Sequence, residues 1–302
     1  MPRPKSDIVD FAMTSASVWR AAIVLSLLWL GESAARSQGQ RTLQVSFLPA
    51  SIRPGDVVRV EIANAPATEQ LHAKVLGQDL GLVHDEQRQS WHALMGVDLE
   101  TEPGTYSMSI QRGDGTASMQ TLRVVPRQFR VRKLTVSPEF VDPPPETIAQ
   151  IELDAKALAD AYAIVSPQKW MGRFLLPVDG KPSSNFGTRS YYNGQRRSPH
   201  AGVDFTGATG TPIRAANQGT VVLAAPLYFT GNTIVIDHGA RLFSVFAHLS
   251  EFRVKPGEMV EAQTIVGLIG ATGRVTGPHL HWSVRLNGAR VDPISLVAAT
   301  TE

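Results

Sequence analysis

The 302-residue sequence contains no cysteine. That excludes disulfides, thiolate metal ligands, a cysteine nucleophile and a lipid-bearing cysteine, so any metal site must draw on His, Asp or Glu. There is also no marked charge excess: 29 Lys and Arg stand against 27 Asp and Glu, for a net charge of +2. So small an excess does not argue for nucleic acid, and it is compatible with an anionic polymer without requiring one. No apolar run reaches the ~20 residues that span a bilayer. At 43% hydrophobic and 19% charged, the chain is globular rather than disordered. Its length allows two domains with proper cores.

The apolar run Ala21 to Leu30 follows Arg20 and precedes Gly31 and the small residues Ser33-Ala34-Ala35. Its length suits the core of a secretory signal. Residues 1–35 are therefore expected to be a signal peptide, or a membrane anchor if uncleaved. Either places the body of the protein in the periplasm or otherwise outside the cytoplasm, with the membrane as partner only in the uncleaved case.

Residues 42–132 alternate apolar and polar positions, as in Val57-Val58-Arg59-Val60-Glu61-Ile62 and Thr105-Tyr106-Ser107-Met108-Ser109-Ile110. Turn signals such as Pro54-Gly55-Asp56 and Gly113-Asp114-Gly115 separate these runs. The pattern predicts an immunoglobulin-like β-sandwich. Its three histidines, His72, His84 and His92, lack paired spacing and are expected to be structural. Asp142-Pro143-Pro144-Pro145 marks a stiff boundary within a linker at 133–166. A helix is expected from Glu146 to about Val165, with Ile148, Ile151, Ala155, Leu158 and Tyr162 near one face and Glu152 and Asp154 off it. Such a helix docks on a domain or bridges two. Residues 167–299 form a second β-rich module, so the fold class is mainly β. The strand–turn–strand stretch from Val254 to Gly270 also resembles the hairpins of biotinyl and lipoyl carriers, but Lys255 precedes a Pro-Gly turn instead of capping a hairpin tip.

Chemistry concentrates in the second module. His200 and Asp204 are four apart, and Gly202 and Val203 between them favour an extended segment on which the pair shares a face. His279 and His281, two apart in Gly277-Pro278-His279-Leu280-His281-Trp282, share a strand face, with Trp282 turned to the other. His248, in Phe246-Ala247-His248-Leu249, is placed at the end of another strand. His238, in Asp237-His238-Gly239, reads as a turn residue. A catalytic zinc keeps three protein ligands and one open position. It lowers the pKa of water to about 7, while further histidines move protons and hold an oxyanion. Four His and one Asp supply such a set. Strand geometry alone leaves open which of His279 and His281 ligates.

His200-x-x-x-Asp204, Phe-Ala-His248-Leu and Gly-Pro-His279-Leu-His281, in this order, resemble the lysostaphin/LytM-type zinc metallopeptidases. The resemblance spans about residues 180–295, including Asn185-Phe186-Gly187-Thr188-Arg189 and Thr272-Gly273-Arg274. It implies a β-sheet peptidase domain with a groove walled by loops, one zinc held by His200, Asp204 and His281, and His248 and His279 as the catalytic pair. It further implies hydrolysis of peptide bonds in peptidoglycan, including cross-links, with other wall hydrolases or regulators as further partners. Some relatives lack ligands and only activate other hydrolases, which is the alternative reading. This chain keeps all five positions. It departs at Phe246, where relatives often carry Tyr, and the lost hydroxyl is expected to alter contacts behind the ligands. Tyr191 to Ser198 is expected to wall or cover the groove.

Overall fold

The computed structural model describes residues 42–135, 143–183 and 185–301. The expected signal or anchor at 1–35 lies outside them, as does Asp142 of the expected boundary. Among the described residues no helix is long and apolar enough to cross a membrane.

The alternating segments near the start form β1 (Gln44–Leu48), β2 (Val57–Ala63), β3 (Leu71–Val75), β4 (Gln78–Leu80), β5 (Val83–Asp85), β6 (Ser90–Gly96), β7 (Gly104–Arg112) and β8 (Ala117–Val124). They pair into two antiparallel sheets, β1-β2-β6-β5 and β4-β3-β7-β8. Period-two alternation puts Val58, Val60 and Ile62 of β2 on one face, where they are fully buried with Met95, Met108, Ile110 and Leu122 from both sheets. This is the expected sandwich.

β9 (Val131–Leu134) then leaves the sandwich, and a 3-10 turn at Pro145–Thr147 leads into α1 (Ile148–Ala163). The helix is shorter than the sequence pattern suggested. The prolines before it set an extended approach, and at its far end Ile164 turns extended (φ −61°, ψ 130°) ahead of Pro167.

The second module comprises β10 (Arg189–Tyr192), β11 (Gln195–Arg196), β12 (Gly202–Thr206), β13 (Pro212–Arg214), β14 (Gly219–Leu227), β15 (Gly231–Gly239), β16 (Leu242–Phe252), β17 (Met259–Val260), β18 (Ile265–Ile269), β19 (His279–Leu286), β20 (Ala289–Val291) and α2 (Pro293–Ala299). Nine of these strands make one sheet, ordered β12-β19-β16-β15-β14-β17, with β13, β18 and β20 attached. On β19, Leu280, Trp282, Val284 and Leu286 enter the core, while His279, His281, Ser283 and Arg285 point to the other face. The carrier-like hairpin is part of this sheet, since β17 pairs with β14 and β18 with β13 and β16.

α1 docks on the histidine face. Phe243 and Val245 of β16 lie opposite Arg285 and Ser283 and so share the side of His281. Leu158, Ala161 and Tyr162 cover them, with Tyr162 edge-on to Phe243 at 5.7 Å and the Arg285 guanidinium 5.4 Å from the Tyr162 ring. The expected apolar face of this helix is corrected at its start, where Ile148 is exposed, and in its middle. Asp154 is buried at 9% exposure and Ala155 is exposed, because the carboxylate takes the backbone N–H of Tyr228 at 2.6 Å.

Residues 42–302 form one compact unit. Val57 and Leu99, from the sandwich, are buried in the core of the second module. Arg290 of β20 binds Asp98 at 2.6 Å and Glu100 at 2.7 Å. Gly96 is required where it is, since a Cβ there would lie 2.8 Å from the Leu286 carbonyl oxygen.

His238 is not in a turn. It sits inside the end of β15 at 0% exposure, and the turn is made by Ala240 and Arg241, both at positive φ. Its Nδ1–H donates to Gln218 O at 2.8 Å, and Nε2 pairs with Ser244 Oγ at 2.9 Å. Burial pushes this imidazole from 6.5 down to about 4. Between these values the unfolded chain binds the extra proton. Stability is therefore fully present above about pH 6.5 and is lost as pH falls towards 4, by on the order of 3 kcal/mol. Denaturant unfolding measured across this window should show a shallower pH dependence in His238→Gln than in the wild type. Equal slopes would show that His238 is not the source.

Candidate metal centre

Strand register builds the site. β12 pairs with β19 so that Asp204 lies directly opposite His281. His200 stands just before β12, four residues from Asp204. Asp204 Oδ1 is 3.0 Å from His281 Nδ1 and 3.2 Å from His200 Nε2, and the two imidazoles meet edge-on at 4.7 Å. Donor atoms of the three side chains all lie within 4.8 Å of one another. A tetrahedral ion with bonds of ~2.0–2.1 Å needs donors about 3.3 Å apart, so the set fits one such ion. Burial opposes ionisation of Asp204, but hydrogen bonds from His200 and His281 outweigh it and hold the carboxyl well below the usual range. Burial also lowers the pKa of His281.

The other two predicted histidines stand beside this trio. His279 Nε2 is 3.9 Å from Asp204 Oδ1, and its Nδ1–H donates to Gly277 O at 2.8 Å. His248 lies 4.8 Å from the His279 ring and 6.0 Å from the His281 ring. It does not end its strand, because β16 continues to Phe252. Instead His248 adopts a positive φ of 67° where the β15–β16 register shifts. Such a bulge re-aims a side chain, here onto the face shared by Ala247 and His281. Its Nδ1–H donates to Thr272 O at 3.0 Å, its backbone N–H to Thr230 O at 2.9 Å, and burial pushes its imidazole down to about 4.

Several supporting residues had no role in the sequence reading. Asn185 Nδ2 donates to the second Asp204 oxygen at 2.6 Å, leaving Oδ1 for the two imidazoles. Ser183 brackets the same residue, its N–H reaching Asp204 O at 2.8 Å and its Oγ accepting from Asp204 N at 3.0 Å. Thr272 holds His248 and also accepts Asn232 N–H on its Oγ1 at 2.9 Å. Asn185 and Thr272 fall in blocks visible in the sequence, but no spacing rule links positions so far apart. Gly202 is needed for close approach: a Cβ would lie 2.7 Å from His281 Nε2 and 2.5 Å from Trp282 O. The loop after β14 borders the site through Thr230, and Asp154 of α1 anchors it at Tyr228 N.

The expectation at Phe246 is corrected, and the remaining histidines lie in the sandwich as expected. Phe246 lies opposite Trp282, fully buried on the core face, so a hydroxyl at its position would not sit behind the ligands. Tyr191 to Ser198 forms the β10–β11 hairpin, turned by Asn193 and Gly194 at positive φ. His72 sits exposed on β3, and His84 and His92 lie on the adjacent sandwich strands β5 and β6.

The pattern of peptidase family M23 matches residues 198–293. The crystal structure of a Pseudomonas aeruginosa protein described as a peptidase M23 superposes with a TM-score of 0.66 at 33% identity, covering 82% of this chain and 95% of that one. The chain belongs to peptidase family M23, in agreement with its LytM-type motifs. It is also 41% identical over 119 residues to peptidoglycan DD-endopeptidase ShyA of Vibrio cholerae serotype O1, covering 38% of this chain and 28% of ShyA. DD-carboxypeptidase/endopeptidase Mpg of Neisseria meningitidis serogroup B is 37% identical over 120 residues, with coverage of 40% and 28%. The match thus spans under a third of the length of these curated relatives.

Gly202→Ala should displace His281 and lower the bound-metal content well below one per chain, read by elemental analysis; full content would contradict the close-approach argument. Asp154→Ala should leave the Tyr228 N–H unpaired and cost about 1–3 kcal/mol in unfolding free energy. Unchanged stability would show that the anchor contributes nothing.

Proposed function

We propose that this chain is an exported, zinc-dependent endopeptidase that hydrolyses peptide bonds in peptidoglycan, including cross-links. The observation that carries this reading is the convergence of His200, Asp204 and His281 on one point, with His248 and His279 beside it. Family membership and the names of ShyA and Mpg support the substrate class. Action on the wall implies action outside the cytoplasm. In this reading 42–132 is an accessory sandwich, 133–166 a linker and helix, and 167–299 the peptidase.

His200 Nε2, Asp204 Oδ1 and His281 Nδ1 would hold the zinc. When bound, zinc supplies a Lewis acid that acidifies water and polarises a carbonyl. The remaining chemistry belongs to side chains. His248 and His279 each direct Nδ1 at a carbonyl oxygen, which can only accept. Nδ1 therefore carries the proton in the neutral ring, and Nε2 is left as a base. Each Nε2 can take a proton from water. Once charged, it can donate to the developing oxyanion or to the leaving amine. Burial keeps His248 neutral at pH 7, ready to accept. The longer reach of His279 to Asp204, 3.9 Å against 3.0 Å for His281, supports a role beside the metal rather than on it.

Defined cross-linked muropeptides, digested with and without a chelator and read by mass spectrometry, test the reading. Cleavage should stop with the chelator and return with zinc. His281→Ala should lose both metal and activity. His279→Ala and His248→Ala should keep the metal and lose about 10²–10⁴-fold in rate. Undiminished cleavage by His281→Ala would overturn the mechanism, and undiminished cleavage by His248→Ala its assignment as base.

A further inference from the structure

The metal trio is flanked by a small basic sheet that the mechanism does not use. β9, β10 and β11 pair in the order β11-β10-β9, with β9 parallel to β10. The sheet is stitched to a metal-ligand candidate, since His200 N–H donates to Thr188 O at 3.0 Å and Gly187 N–H to His200 O at 2.7 Å. Its segments are charged in one sense only. Residues 127–135 contain four basic residues and residues 186–200 three, with no acidic residue in either. The chain as a whole carries a net charge of only +2, so the excess is local.

Two of these charges are already used inside the protein. Arg127 pairs with Asp56 and Asp292, and Arg196 with Glu100. Register sorts the rest. Ser190 lies opposite Arg132 on β9, and its carbonyl oxygen accepts from Arg197 N–H at 2.9 Å. Cross-strand neighbours share a face, so Arg132, Arg197 and Tyr192 stand together. Neither arginine has a carboxylate partner among the described residues. The Arg197 guanidinium lies 5.8 Å from the Tyr192 ring, and its Nε is buried with no hydrogen-bond partner among those residues. The same guanidinium donates through Nη2 to Gln195 Oε1 at 3.2 Å; fixed by the ring and this amide, it holds its remaining N–H groups in a set orientation for an incoming oxygen anion.

We infer that this face is a carboxylate-binding subsite of the groove, at which Arg132 and Arg197 engage free carboxylates of the peptide held at the metal centre. The inference rests on the peptidase reading for its location and names the feature of the substrate that the site selects. The parallel β9–β10 pairing gives it a fixed geometry, because Arg132 comes from the strand leaving the sandwich and Arg197 from the hairpin beside His200.

The test uses the full chain and two cross-linked peptides that differ only in having free or amidated carboxylates. The wild type should prefer the free form. Arg132→Gln/Arg197→Gln should raise KM for that form about tenfold with kcat unchanged, and erase the preference. Arg132→Lys/Arg197→Lys, which keeps the charge, should retain part of it. Calorimetric binding of both peptides in a His279→Ala background reads the subsite without turnover. Equal affinity for the two peptides in the wild type, or an unchanged preference in the Gln variant, overturns the subsite. Arginine-dependent binding without any cleavage by the wild type supports the subsite and overturns the peptidase reading instead.

Discussion

The pairing of β12 with β19 is the constraint on which the site depends. Asp204 meets His281 only in the observed register, with Val203 opposite Trp282 and Phe205 opposite Leu280. Those four apolar residues are buried at 2% exposure or less. A slip of one residue would turn them to the polar face and bury the histidines. The hydrophobic core thus sets the geometry of the metal centre from the opposite side of the sheet. Gly202 completes this arrangement by leaving room for the His281 ring.

Around that pairing the structure holds a less comfortable conformation. His248 occupies the left-handed region, which costs on the order of 1–3 kcal/mol for a non-glycine residue and persists only where its surroundings over-determine it. Here the surroundings are the carbonyls of Thr230 and Thr272, one fixing the backbone and the other the ring. The loop that carries Thr230 is tied in turn to Asp154 of α1. A helix that reads as a linker therefore packs on the histidine face of the sheet, and its acidic residue acts as an anchor.

The sandwich is equally committed. Arg290 grips Asp98 and Glu100, Asp292 joins Arg127, and Val57 and Leu99 fill the neighbouring core. β9 extends this attachment to the hairpin beside His200. The orientation of the sandwich and the position of that hairpin are thus mechanically linked. The local excess of positive charge lies on that link.

Much of this was legible in the sequence. Period-two alternation identified the strands, and the shared face of His279 and His281 followed from it. The five-residue set was visible through its local spacings, H-x-x-x-D and H-x-H, and through family resemblance. What the sequence could not show are contacts between residues distant along the chain, because nothing local encodes them. Asn185 on Asp204, Thr272 on His248 and Asp154 on Tyr228 exist only once the sheet has closed. The same holds for His238, which reads as a turn residue but is buried because the turn falls two residues later, and for Phe246, which faces the core rather than the histidine cluster. Local pattern determined the elements and the donor types. Tertiary packing decided which donors meet, because register and burial act across the whole sheet at once.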